Sequence, residues 1–347
     1  MEVVTKRIVL VHTGAGGMID KQRKRKYKAL LKQVFDKNMS ISKKKLINHL
    51  ERFIEISKIL ESSDLTNTGY GSCICSDGSV RCDSSVVHMK TGRNKYDQLI
   101  DIGICVCNSS RYPMKDAVDV MVKQKSKTLI SGVIQPIIQL GRLERDDRLI
   151  SPEMSQIGNH YVKLDNKKCG NQDGIQDTIG VLLFEKCIID GIEDIQITIG
   201  SSSGGNMLRD WKRIGSAGVP GSGCWLEKNK DTGDIVCIMV SGQGEWIIKN
   251  DVARKVAQTV SEDISKDPNG CLPLDSVNNV VSNLKLIGDC KNIGLGVLGA
   301  VIGPTLCEAF SVCSDCSFVI GSSVLVDKHR RDFCQALYRQ NASWSLR

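Results

Sequence analysis

The stretch Asp177-Thr178-Ile179-Gly180-Val181-Leu182-Leu183-Phe184 is where the pattern of the chain changes. From about Arg142 to Asp177 the sequence is polar and shows no sustained periodicity. It carries Gly158, Gly170 and Gly174, which makes it the best linker candidate in the chain. A strand then begins abruptly at Thr178. Threonine at a strand start is unremarkable alone, since β-branched residues favour strands. Further strand signals follow at Ile195–Ile199 and, beyond the glycine-rich span Ser201–Gly223, at Ile235–Val240. A helix is expected near Asn250–Val260.

The other side of the linker has a similar density of strands and helices. Arg7-Ile8-Val9-Leu10-Val11 is a short apolar run that stops at His12-Thr13-Gly14-Ala15-Gly16-Gly17. This reads as a buried strand feeding a glycine-rich loop. Tyr27, Leu30, Leu31, Val34 and Phe35 recur at helical spacing, which puts the basic run Lys21–Lys28 on the outer face of an amphipathic helix. A nuclear-import or nucleic-acid patch is the sharper alternative for that run. Leu46–Leu60 has helical spacing as well, and Thr66–Ser72 is a turn-rich loop. Cys73-Ile74-Cys75 and Val80-Arg81-Cys82 flank Ser76-Asp77-Gly78-Ser79, a hairpin signal because Asp-Gly supports turns with positive φ. A strand at Ile102–Cys107 and a helix at Lys115–Lys125 complete this half. There is no internal repeat.

Composition sets the bounds. A chain of 347 residues, 41% hydrophobic and 25% charged, can build one large core and is not a disordered or fibrous chain. Residues 1–50 hold 13 Lys/Arg against 3 Asp/Glu, and the rest hold 34 against 36. The basicity is therefore local, and a broad nucleic-acid-binding face is not expected. No run of 18 apolar residues occurs, so no membrane span is expected. The start Met1-Glu2-Val3-Val4-Thr5-Lys6-Arg7 lacks the apolar run of a secretory signal. The expected setting is the cytoplasm, with the nucleus as second choice. The 15 cysteines then read as reduced, small hydrophobes. A zinc site built from Cys73-x-Cys75, Cys105-x-Cys107 and Cys313-x-x-Cys316 is the rival, but only the last pair has common zinc spacing and no second pair matches it. Neither a metal nor a cofactor is expected.

Around Thr178 the informative feature is a set of short hydroxyl-and-glycine loops at strand ends. These are Ser201-Ser202-Ser203-Gly204-Gly205, Arg213-Ile214-Gly215 and Ser241-Gly242-Gln243-Gly244-Glu245. Glycines let backbone N–H groups approach a substrate, and hydroxyls are small adjustable donors. Arg213 offers a planar fork suited to a carboxylate. The five histidines look isolated and structural or exposed, apart from a loop role for His12.

In order along the chain, these motifs resemble taspase, the threonine aspartase branch of the asparaginase-type N-terminal-nucleophile hydrolases. His12-Thr13-Gly14-Ala15-Gly16 is similar to the family's His-x-Gly-Ala-Gly loop, and Thr66–Ser72 to its Thr-Asn-Ala-Gly-x-Gly-Ser loop, followed by Cys82-Asp83-Ser84-Ser85. Asp177-Thr178-Ile179-Gly180 lies where the family cuts itself. Ser202-Ser203-Gly204-Gly205, Gly223-Cys224-Trp225-Leu226-Glu227, Ser241-Gly242-x-Gly244-Glu245 and Gly296-Val297-Leu298-Gly299 follow. The resemblance implies a four-layer αββα sandwich of α/β class, made as one chain and cut between Asp177 and Thr178. Residues 1–177 would be the α subunit and 178–347 the β subunit, paired as a heterodimer and in turn as (αβ)2. Thr178 would be the nucleophile, with its freed α-amino group as the base. That amine titrates near pH 7.7–8.0 when unperturbed, about right for taking and returning a proton. Ser203 would hydrogen-bond the nucleophile, and Ser241 and Gly242 would line the oxyanion hole. Arg213 would bind a substrate carboxylate, with Asn67 orienting the site from the other half.

Three departures matter within this resemblance. Asparaginases and isoaspartyl peptidases follow Arg-Val-Gly with an Asp that holds the substrate's free α-amino group, whereas here Ser216 follows Arg213-Ile214-Gly215. That favours an endopeptidase cutting protein substrates after aspartate. The long charged stretch Glu185–Asp194 leaves the placement of Ser203 open. The linker also lacks the long basic insert associated with nuclear import of animal taspases. The alternatives are an L-asparaginase or β-aspartyl peptidase, and an inactive relative that binds partners through its basic helix.

Overall fold

The computed structural model describes residues 2–44, 48–91, 98–124, 147–163, 178–268, 274–286, 294–304, 306–314, 316–327, 329–338 and 340–347. Strand β1 (Glu2–Gly16) shows why the layers form. Ile8 and Leu10 point into one apolar cluster, and Val9 and Val11 point into another on the opposite face. A strand buried on both sides with period-two alternation belongs in the middle of a layered structure.

The other strands are β2 (Cys82–Thr91), β3 (Gln98–Asn108), β4 (Ile179–Ile189), β5 (Ile192–Ser203), β6 (Cys224–Lys228), β7 (Ile235–Gly242), β8 (Leu295–Ile302), β9 (Cys307–Ser314), β10 (Ser317–Val326), β11 (His329–Tyr338) and β12 (Asn341–Ser345). They make a seven-stranded sheet in the order β11-β10-β1-β4-β5-β2-β3 and a five-stranded sheet in the order β12-β9-β8-β7-β6. Leu10, Leu182 and Phe184 of the first sheet meet Cys237, Met239 and Leu298 of the second between the layers.

Helices α1 (Lys21–Lys44), α2 (His49–Glu61) and α3 (Pro113–Gln124) cover the outer face of the larger sheet. The basic residues Lys21, Arg25, Lys26 and Lys28 of α1 are exposed while Tyr27, Leu31, Val34 and Phe35 are fully buried. A capping box between Asn48 and Glu51 starts α2. After α4 (Pro152–Lys163), helices α5 (Gly244–Asn250), α6 (Val252–Lys266) and α7 (Leu274–Leu286) cover the outer face of the smaller sheet. The result is a four-layer αββα sandwich. No helix among the described residues is long and apolar enough to cross a membrane.

Several sequence expectations change. The hairpin around Ser76–Ser79 shrinks to a single bridge, Ile74↔Val80. Its turn is closed by Gly78 N–H to the Cys75 carbonyl, while Cys73 and Ile74 pack against Met154 and Ile157 of α4 instead of extending a ladder. The supposed linker contains α4, started by Ser151, whose hydroxyl accepts from Met154 N–H at 3.2 Å, with Pro152 in the first helical position. Residues 164–177, including Gly170, Gly174 and Asp177, lie outside the described residues.

Two histidines are far from isolated. Glu185, on β4, accepts from Arg7 Nε at 2.6 Å and His49 Nδ1 at 2.8 Å, and Arg52 Nε lies 3.1 Å from it. His49 and His88 both reach the Thr198 hydroxyl at 2.9 Å. All of these residues are buried. Burial alone would raise the Glu185 carboxyl, but the His49 hydrogen bond and the charges of His49, Arg7 and Arg52 outweigh it and bring it down to about 2. The charged β4–β5 hairpin is thus pinned on its inner side by residues from before the linker.

Candidate active site

Thr178 is buried and directly precedes β4. The β4–β5 ladder pairs Ile179 with Ser202 and Gly180 with Ser201, so one more step of that register sets Thr178 opposite Ser203. The turn at Asp190-Gly191 closes the long charged hairpin, whose register runs unbroken from Ile189↔Ile192 to Ile179↔Ser202. Ser203 Oγ accepts from Gly205 N–H at 2.9 Å. Beside it, the Ser202 and Thr68 hydroxyls share a hydrogen bond of 2.5 Å.

Asn67 holds this turn. Its side chain donates to the Gly205 carbonyl at 2.7 Å and accepts from Cys73 N–H at 2.9 Å, and its carbonyl accepts from Gly204 N–H at 2.8 Å. The resemblance has Asn67 orienting the site from the other half. In the structure its amide is engaged with main chain on both sides, so its action on the site runs through the 203–205 turn.

Ser241 and Gly242 end β7 in the other sheet. Ser241 Oγ accepts from Ala15 N–H at 2.8 Å, which ties the loop after β1 to the smaller sheet. Gly242 has φ of +141°, and a Cβ there would fall 2.2 Å from the Gly294 carbonyl oxygen. Only glycine fits this close, left-handed position. Arg213 is partly exposed and pairs with the carboxylate of Glu245.

His12 is the residue whose part in the site was not legible. It pairs with Gly180 across β1 and β4, and its ring packs 5.0 Å from Phe318. Gly14 N–H donates to Nδ1 at 3.2 Å, which assigns the ring proton to Nε2. Burial pushes the imidazole down to about 3 against a smaller opposing pull from the Thr178 backbone, so it is neutral at physiological pH. Thr13 Oγ1 and Ser201 Oγ have no hydrogen-bond partner among the described residues. His12 on β1 and Ser201 on β5 both pair with Gly180, so they flank the start of β4 from either side. A Cβ on Gly180 would lie 2.2 Å from His12 Nε2 and 2.9 Å from Met239 Sδ. Gly180→Ala is therefore expected to destabilise the fold by about 1–3 kcal/mol, read as a lowered Tm in thermal unfolding.

The cysteines among the described residues are free thiols, most of them buried, and burial pushes Cys82 and Cys224 up to about 12. Cys313 and Cys316 have their sulfurs 3.4 Å apart, but no group of three metal-ligating side chains occurs among the described residues.

Residues 5–270 match the family described as Asparaginase. The chain belongs to the asparaginase family. It is similar to the plant-type L-asparaginase of Pyrobaculum calidifontis, 22% identical over 246 residues, covering 69% of this chain and 75% of the relative. The plant-type L-asparaginases of Pyrococcus furiosus and Pyrococcus abyssi are each 24% identical. They cover 73% and 78% of this chain and 79% and 91% of their own lengths. The matched span contains Thr178, Ser203, Arg213, Ser241 and Gly242, and the family's members are hydrolases built on this sandwich.

Proposed function

We propose that this protein is a self-activating hydrolase in which Thr178 is both nucleophile and, after a cut at Asp177-Thr178, the new N-terminus. The observation that carries the reading is the seating of Thr178 at the start of a central strand, opposite Ser203 and beside a neutral buried His12. In the cut, the Thr178 hydroxyl attacks the carbonyl carbon of residue 177, and the C–N bond breaks to leave an ester and a free Thr178 amine. Water then hydrolyses the ester. Residues 1–177 and 178–347 become two chains of one sandwich, assembled as αβ and (αβ)2, with no cofactor taking part.

In turnover the Thr178 amine accepts the hydroxyl proton and returns it to the leaving amine. Main-chain and hydroxyl donors at Ser241 and Gly242 stabilise the oxyanion, a contribution of about 3–4 kcal/mol per donor in well-formed holes. Arg213 exchanges Glu245 for the carboxylate of an aspartyl group on the substrate.

Ser216 supports a protein substrate cut on the C-terminal side of aspartate. It is buried behind Gly215 and offers a free α-ammonium no charge partner, whereas a peptide amide needs none. The second reading, an L-asparaginase, is favoured by the relatives, whose names carry that activity. Peptides with an internal Asp and free asparagine separate the two. Peptide cleavage without ammonia release upholds the endopeptidase, and ammonia release with intact peptides upholds the asparaginase. For either substrate, Arg213→Ala is expected to raise KM about tenfold or more by removing a charge-assisted hydrogen bond, as measured by steady-state kinetics. The setting expected is the cytoplasm, with the nucleus second.

A further inference from the structure

Behind the Arg213 turn lies a buried ion pair that the chemistry at Thr178 does not use. Asp83, on β2, has no exposed surface. Its Oδ1 accepts from Cys107 N–H at 2.8 Å, and its Oδ2 accepts from Gly215 N–H at 2.9 Å and from Arg209 Nη1 at 2.5 Å. Arg209 is equally buried. Its Nη1 also donates to the Arg213 carbonyl at 3.0 Å, and its Nη2 donates to the Arg81 carbonyl at 2.7 Å. One ion pair therefore holds the turn at both ends, by the carbonyl of Arg213 and the N–H of Gly215. The same Asp83 pairs with Ser203 in the β2–β5 ladder, so the anchor is shared with the turn opposite Thr178.

We propose that Asp83 and Arg209 are positioning residues for substrate recognition, a latch that sets the backbone from which Arg213 reaches the substrate carboxylate. The inference rests on the reading of Arg213 as the carboxylate-binding residue. The latch also crosses the proposed cut, because Asp83 and Arg81 precede it and Arg209 follows it. Affinity for the carboxylate thus depends on a residue of one piece holding a turn of the other. Arginine is needed because its planar fork serves Asp83, the Arg213 carbonyl and the Arg81 carbonyl at once, which an ammonium point charge cannot do in the same geometry.

The test is steady-state kinetics of wild type, Arg209→Lys, Arg213→Ala and the double variant, on whichever substrate the wild type turns over. Arg209→Lys keeps the charge beside Asp83 and so guards against misfolding, which circular dichroism and Tm check in parallel. The latch predicts that Arg209→Lys raises KM about tenfold with kcat changed much less, and that it adds little once Arg213 is alanine. An unchanged KM in Arg209→Lys overturns the proposal. So does an equal loss in the wild-type and Arg213→Ala backgrounds, which is what a merely structural role gives. If Arg209→Lys fails to fold, Asp83→Asn is measured in the same cycle under the same criteria. Wild type inactive on both substrate classes sinks the functional reading and the latch with it, whereas active wild type with uncoupled variants sinks the latch alone.

Discussion

Thr178→Ala is expected to lower turnover by on the order of 10⁴-fold or more, because it removes the atom that forms the covalent bond to substrate. KM is not the informative quantity there, since Arg213 and the 203–205 turn are untouched. Thr178→Ser should retain part of the activity, because the hydroxyl remains and only the methyl that fixes its rotamer is lost. Initial rates on the substrate identified for the wild type decide this. Equal rates for Thr178→Ala and wild type would assign the chemistry elsewhere.

Glu185→Gln is expected to cost the fold about 3–5 kcal/mol, because it leaves Arg7 and Arg52 buried with no carboxylate between them. The shape of the side chain is kept, so the loss is electrostatic and not one of packing. The pH dependence follows from the same group. The carboxyl sits at about 2 in the folded state against 4.5 for the ordinary value. A depressed folded value means that its contribution is fully present above pH 4.5 and is lost as pH falls from 4.5 towards 2. Urea unfolding across that window should show wild-type stability falling, with the Glu185→Gln variant lacking this share of the fall. Identical slopes for the two proteins would contradict the network.

Much of the fold was legible because its signals are local. The apolar run Ile8–Val11 marked β1 as a buried strand, and Tyr27, Leu31 and Phe35 marked the inner face of α1. The hydroxyl-and-glycine runs at 201–205 and 241–244, from which the candidate site is built, were legible as strand ends. What could not be read is what long-range pairing creates. Glu185 meets Arg7 across 178 residues and Arg209 meets Asp83 across 126, and no spacing rule reaches that far. His12 was legible only as part of its loop because its neighbour Gly180 arrives from the far side of the linker. Helix α4 was missed for a different reason. Ser151-Pro152 is a good helix start, but its apolar face of Met154 and Ile157 is short and packs on a loop rather than on a sheet.

The claim on which the rest stands is that Thr178 becomes a chain terminus. Intact-mass analysis of the purified full-length protein, beside Thr178→Ala handled identically, tests it directly. The account predicts two masses for the wild type, corresponding to residues 1–177 and 178–347, and a single uncut mass for Thr178→Ala. A wild-type chain that stays whole after prolonged incubation, indistinguishable from the alanine variant, would contradict it.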